Sequence, residues 1–284
     1  MEKIALITDT TADLSEDIIK RYNVNVLPFR IIYKDREYKD KLEISPKEVY
    51  RNFEKEVPTS SLPSIQDMED LFYKLEEQKF THAIAITLSS GLSGIYNAVK
   101  LVSDNHPNIN TFVCDSQSIS AGEGMIVEEC GEMIKNGKSF DEIVNEIPNI
   151  KKRINLFFVV GTLEYLKKGG RIGRVSGTIG ELLNIKPIIS VDAKDGKYYT
   201  FDKVRGRKQS INRLIEIIKG ILKEKKCKIC VVHGDALEES NKLFETIKTM
   251  DNVSEAYLGG EISPVSGVHS GPGLIGVVLK EELT

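Results

Sequence analysis

The sequence contains no tryptophan, four cysteines and four histidines, and no apolar run of the 18 or more residues that a membrane-crossing helix needs. Four cysteines are too few to scaffold a chain of 284 residues with disulfides. Cys227 and Cys230 form a CxxC inside KKCKICVVHG, but that stretch alternates like a strand. Residues three apart on a strand face opposite sides, so the two thiols diverge. A redox pair opens a helix instead, and a zinc site wants a second pair. Neither the Walker spacing nor a GxGxxG after the first strand is present, which excludes the usual nucleotide-phosphate cradles. A net charge of −3 supplies no general attraction for nucleic acid, and the ten tyrosines are scattered rather than arranged as a stacking platform. The opening MEKIALITDTTADL soon meets Asp9 and Asp13 and lacks the flanks of a signal peptide, so a cytoplasmic location is expected.

What is there reads as an ordinary globular chain, 40% hydrophobic and 29% charged, long enough for one large or two modest domains. Its first half alternates apolar strands with helices. IALIT (4–8) precedes a helix over 15–22, NVLPFRIIY is extended, and KDRE (34–37) marks a hairpin tip. Ser45-Pro46 opens a helix by the cap-then-proline rule, and Ser64 caps another over 65–79. HAIAITL (82–88), TFVCD (111–115) and INLFFVV (154–160) are further strands, with helices predicted over 120–136 and 139–147. Apolar strands spaced by helices predict a parallel sheet covered on both faces. The second half is glycine-rich and basic around LEYLKKGGRIGRVSG, then offers GKYYTFDKV as a hairpin arm. Helices near 207–224 and 236–249, a strand KICVV (228–232) and a final strand GLIGVVL complete it. The division is placed near residue 160, giving units of 1–160 and 161–284.

In such a sheet, ligands gather where strands run into helices. TDTTADL (8–14), SSGLSG (89–94) and DSQSISAGEG (115–124) occupy that position, and PTSSLPS (58–64) precedes a helix. SSGLSG admits several readings. As a nucleophile elbow it would need G-x-S-x-G, but Gly94 directly follows Ser93, one place early. A triad would also need a histidine, and only His269, in SGVHSGPG, lies in a glycine-rich loop. As an anion site it offers a helix N-terminus, serine hydroxyls, and glycines that let a ligand approach the backbone. As a plain helix start, Ser93 caps its own helix. Asp9 and Asp115 end strands, yet two separated carboxylates do not make a metal site, and Asp9 reads as a brace for the first turn. Lys167, Lys168, Arg171 and Arg174, and again Lys203, Arg205, Arg207 and Lys208, form basic clusters that suit a solvated face or an anionic partner.

Seven of these segments, in order, resemble the DegV family: ITDTTADL, TSSLPS, SSGLSGIYNA, YLKKGGRIG, LLNIKPI (182–188), KVRG and HSGPGLIG. These are the fatty-acid-binding carrier subunits of bacterial fatty acid kinase, and the resemblance runs from residue 7 to residue 276. It implies an α/β fold in two domains, the first a helix-flanked parallel sheet holding the ligand and the second an α/β domain with a mixed sheet. It further implies that Ser60, Ser93 with its neighbour Gly94, and His269 surround the acid's carboxylate, with Arg171 near the acyl head. The chain departs from the family's usual Thr-Ser-Gln-Pro-Ser by reading Ser60-Ser61-Leu62-Pro63-Ser64, which keeps the hydroxyl and loses a methyl and an amide.

The resulting expectation is a carrier without catalytic activity, cofactor or metal. It would present a long-chain fatty acid to a separate ATP-dependent kinase, forming an acyl phosphate that feeds phospholipid synthesis, with transient contact to an anionic membrane surface and none to nucleic acid. The competing expectations are a serine hydrolase using Ser93 and His269, and a binding module for a phosphorylated ligand.

Overall fold

The computed structural model describes residues 2–178 and 184–283. Its first half carries β1 (Ile4–Asp9), β2 (Val24–Leu27), β3 (Arg30–Ile32), β4 (Glu37–Lys39), β5 (Thr59–Ser61), β6 (His82–Thr87) and β7 (Asn110–Asp115). Between them run α1 (Glu16–Tyr22), α2 (Pro46–Asn52), α3 (Ile65–Glu77) and α4 (Ile95–Ser103), followed by α5 (Ala121–Lys135) and α6 (Phe140–Lys152). Four strands form a parallel sheet in the order β2-β1-β6-β7, as the apolar strand–helix alternation predicts. One face packs Leu6, Ile84 and Ile86 against α5 and α6, and the other packs Ile7, Ala83 and Ala85 toward α3 and α4. The KDRE tip joins β3 to β4, and β5 pairs with the other side of β3, making a small antiparallel sheet.

The rest comprises β8 (Ile154–Val159), α7 (Glu164–Lys168), β9 (Ile185–Val191), β10 (Tyr198–Arg205), α8 (Arg207–Leu222), β11 (Cys227–Gly234), α9 (Leu237–Ile247), β12 (Val253–Glu261), α10 (Pro264–Ser270) and β13 (Leu274–Glu281). Its strands form one mixed sheet, β10-β9-β8-β13-β11-β12, in which only β11 and β12 run parallel. Period-two alternation sorts its side chains. Phe157, Val159, Ile229, Val231, Ile275 and Val277 pack under α8 and α9, while Leu156, Phe158, Val232, Leu274 and Val278 face the first half. Cys230 joins the inner cluster and Cys227 the outer one, so the CxxC thiols diverge, and all four cysteines are free.

Several expectations need correction. β8 was assigned by order to the first half, but it pairs with β13 and β9, so a division by sheet falls before Ile154 rather than at 160. The helix ended at residue 147 continues through Pro148 to Lys152. Proline removes one N–H from the ladder, while burial of Ile143, Ile147 and Ile150 on one face holds the helix together. β12, in VSEAYLGGE, went unread because its glycines and charges mask an edge strand. The first two residues of LLNIKPI lie outside the described residues.

Candidate functional site

Between the two sheets lies a cavity lined mostly by apolar side chains. The mixed sheet supplies an apolar wall: Leu156 and Phe158 of β8, Val232 of β11, and Leu274, Gly276 and Val278 of β13. A Cβ at Gly276 would stand 2.9 Å from the Val232 Cγ2, so bare backbone completes this wall. Ser60, Ser93, Arg171 and His269 line the same cavity. Three of these four sit on segments flanking the parallel sheet or the small sheet beside it, or on the loop after α7. The fourth, His269, sits on α10.

His269 is not in a loop, as its glycine-rich surroundings suggested. It occupies the last turn of α10, which Ser263 caps by accepting the Ser266 N–H, with Pro264 in the first turn. That is the same Ser-Pro signal that marks α2, and it was legible at Ser263-Pro264. The start of α10 is tied across the molecule: Asp13 Oδ1 accepts the Ser263 N–H at 2.8 Å and Asp40 Oδ1 accepts the Val265 N–H at 3.1 Å. His269 Nε2 lies 2.7 Å from Ser60 Oγ, which β5 presents opposite Ile31 of β3. The other ring nitrogen, Nδ1, is buried without a partner. It lies against Gly169, where a Cβ would come within 2.2 Å of it, so only glycine admits the ring there. Burial, and secondly the charge of Arg171, lower the imidazole pKa to about 4. The ring is therefore neutral at pH 7. Its proton belongs on Nε2, because an N–H buried at Nδ1 would have no acceptor. Nε2 then donates to Ser60, and the Ser60 proton is left to point at an anion.

The serine turn is built as rigidly as its sequence is permissive. Asp9 Oδ2 accepts the Leu88 N–H at 2.8 Å, and Asp115 accepts the N–H and hydroxyl of Ser90. From the other sheet, the tip of the β9–β10 hairpin closes in: Ser89 Oγ donates to the Gly196 carbonyl at 2.7 Å. A Cβ on Gly91 would meet the Asp195 carbonyl oxygen at 2.4 Å. Asp9 also accepts the Thr11 N–H at 2.9 Å and so braces the first turn, as its position suggested. Within this frame Gly94, not Ser93, is the residue before α4. Ser93 Oγ accepts the Ile95 N–H at 3.3 Å, which leaves its proton free to donate.

Arg171 turns inward. Its Nε donates to the Leu92 carbonyl at 3.2 Å and its Nη1 to the Gly169 carbonyl at 2.7 Å, so one side chain ties the serine turn to the loop that carries His269's glycine. The other basic residues divide differently. Arg174 pairs with Asp192 and Asp195 at the hairpin tip, and Arg207 holds both oxygens of Glu239.

The structure thus brings Ser60, Ser93, Arg171 and His269 to one cavity, while Gly94, expected beside them, is not among its lining residues and instead precedes α4. It does not assemble the hydrolase arrangement. His269 bonds Ser60 rather than Ser93, and no third group among the described residues orients its Nδ1, which a triad requires. Reading by motif missed the buried carboxylates behind the site. Thr11 Oγ1 lies 2.6 Å from Asp9 Oδ1 and 3.0 Å from Glu123 Oε2, and Thr8 bonds Glu123 as well. Burial, then the charge of Asp9, raise the Glu123 pKa well above the usual range, and burial raises the Asp9 pKa too, so this buried pair resists carrying two charges. Glu123 opens α5 one place from two glycines, and nothing in SAGEG announced a fully buried acid. Among the described residues, no group of three or more potential ligands could hold a metal ion, and no helix is long and apolar enough to cross a membrane.

Residues 3–282 match the family model described as "Uncharacterised protein, DegV family". The chain belongs to the DegV family. A DegV domain-containing protein of Clostridium acetobutylicum is 65% identical over 282 residues, covering 99% of this chain and all of that protein. Among solved structures, a DegV family protein of Streptococcus agalactiae described as fatty acid binding superposes with a TM-score of 0.91 at 30% identity, covering 100% of both chains. A stearic acid-binding protein of Eubacterium ventriosum superposes with a TM-score of 0.87 at 28% identity, covering 99% of this chain and 98% of that one. The two-sheet α/β architecture is that of DegV folds.

Proposed function

We propose that this DegV protein binds one long-chain fatty acid in the cavity between its sheets, its carboxylate held by the hydroxyls of Ser60 and Ser93, with His269 behind Ser60 donating to it and so aiming the Ser60 proton at the acid. One observation carries the reading: an apolar sheet face lines the same cavity as the Ser60 and Ser93 hydroxyls and a neutral imidazole bonded to Ser60. The fatty acid binding described for the Streptococcus agalactiae protein and the stearic acid binding described for the Eubacterium ventriosum protein support it. The energetics are of the right size. Each buried methylene contributes about 0.8 kcal/mol, so a long tail gives on the order of 10 kcal/mol before the costs of association. The ionised head needs compensation, and hydrogen bonds to a charged group return about 1.5–3 kcal/mol each. The tail supplies affinity and the polar end supplies direction.

In this reading the protein is a cytoplasmic carrier with no reaction, cofactor or metal of its own. A separate ATP-dependent kinase, to which it presents the head group, catalyses attack of a carboxylate oxygen on the terminal phosphorus of ATP. Acyl phosphate and ADP result, and the acyl phosphate passes to phospholipid synthesis, with transient contact at an anionic membrane surface. Arg171 lines the same cavity, and in this reading its guanidinium faces the transferred phosphoryl group. Mass spectrometry of lipid extracted from the purified, denatured protein tests the binding step. A stoichiometric fatty acid is the expected result, and an extract still empty after incubation with mixed fatty acids would overturn the reading. Arg171→Ala should keep its lipid and lose kinase-coupled acyl phosphate formation. Loss of the lipid itself would assign Arg171 to binding.

A further inference from the structure

The head group leaves part of the cavity's polarity unused. Thr11, Ser120 and Ser266 also line it, and a single hydrogen-bond network holds them. Ser120 Oγ donates to Asp13 Oδ2 at 2.6 Å, Asp13 Oδ1 accepts the Ser263 N–H, and Ser263 Oγ donates to Ser266 Oγ at 2.8 Å. The Ser120 N–H in turn bonds the Thr11 carbonyl at 2.8 Å. A serine that gives its one proton to a buried carboxylate keeps its lone pairs, so Ser120 offers the cavity an acceptor. Ser266 receives a proton from Ser263, so its own proton remains to be donated. One cavity is thus lined by a hydroxyl acceptor and a hydroxyl donor, the two roles that complement a single alcohol. A methylene there would leave both unmet.

The backbone at Ser120 is strained to produce this arrangement. Its φ of 58° and ψ of −144° lie in a region that side chains rarely adopt and glycine adopts freely. Glycine would relax the turn but remove the hydroxyl. Ser266 lies three residues before His269 on α10, hence on the same face. The offset is about 4.5 Å along the axis, roughly the three bonds that lead from a carboxylate oxygen to carbon 3.

We infer that Ser120 and Ser266 form a subsite for a hydroxyl on the proximal part of the acyl chain, and that the protein prefers long-chain acids hydroxylated at carbon 3 to unsubstituted ones. This rests on the fatty acid reading above. Competition between hexadecanoate and 3-hydroxyhexadecanoate on the delipidated protein tests it. The expected preference for the hydroxy acid is about three- to tenfold, the worth of one to two hydrogen bonds. The ratio should collapse to about one in Ser120→Gly, which relieves strain and so protects folding, and independently in Ser266→Ala. No preference in the wild type, or a preference that survives both substitutions, would overturn the subsite. Failure of the wild type to bind either acid would overturn the fatty acid reading instead.

Discussion

The two sides of the cavity are made on different plans. Its polar end is assembled from turns: the serine turn after β6, the edge strand carrying Ser60, the loop carrying Arg171, and the end of α10. The serine turn and Arg171 are fixed by hydrogen bonds to backbone and carboxylate, and Ser60 and His269 by the bond between them. Its apolar side is one face of a sheet, fixed by pairing that also holds α8 and α9 on the opposite face. A turn can exchange one side chain without disturbing its neighbours. A sheet face cannot, because the same strand contributes alternately to two cores. The comparison implies that changes at the wall act on stability first, and changes at the polar end act on head-group retention first.

The largest effect should come from the wall. Phe158→Ala removes a ring packed edge-on to Tyr198 with centroids 5.1 Å apart. Truncation of such a residue costs about 3–5 kcal/mol, readable as a shift in the urea midpoint. A loss below 1 kcal/mol would break the comparison. Gly169→Ala comes next and acts at the polar end alone. The new methyl displaces the His269 ring and with it the 2.7 Å contact to Ser60, so fatty acid affinity should fall roughly tenfold or more, while the urea midpoint moves far less than for Phe158→Ala. Ser93→Ala deletes one donor and its bond to the Ile95 N–H, and should weaken retention about three- to tenfold with little change in unfolding. Equal retention by Ser93→Ala and wild type in a titration would remove Ser93 from the site.

A further effect depends on pH and concerns the tie between the two plans. Burial raises the Asp40 pKa to about 7 from an ordinary 3.8, even though its Oδ1 accepts the Val265 N–H at the start of α10. The folded protein therefore keeps a proton that the unfolded chain has released. Stability is fully present below about pH 4 and is lost as pH rises through 7. Asp40→Asn should remove that slope, so the variant gains on the wild type in thermal unfolding between pH 5 and pH 8. Parallel curves would show that Asp40 does not titrate in this window.

The same contrast explains what was legible in the sequence. Turn chemistry is local, so SSGLSG, TSSLPS and GGRIG announced a polar site, and Ser60, Ser93, Arg171 and His269 do meet. The strands were legible as buried, but alternation alone does not say which face of INLFFV or GLIGVVL borders a cavity and which borders a helix. β8 was assigned to the wrong sheet for a related reason: order along the chain does not reveal that its partner lies at Leu274–Glu281. Asp13, Asp40 and Glu123 were missed because an acid in a polar turn reads as exposed until distant partners such as Ser263, Val265 and Thr8 are known.

The pairing of β8 with β13 also sets an order of events at the ribosome. The parallel sheet is complete in sequence at Asp115, whereas the cavity wall waits for Leu274–Glu281. At about 5–20 residues per second, synthesis leaves roughly 10–30 s in which the first sheet exists without the second. During that interval β8 has been made, but the central partner that will seat it has not. The cavity is thus the last part of the molecule to come into being, and a nascent chain stopped before β13 would hold its first sheet without the wall that closes the space beside it.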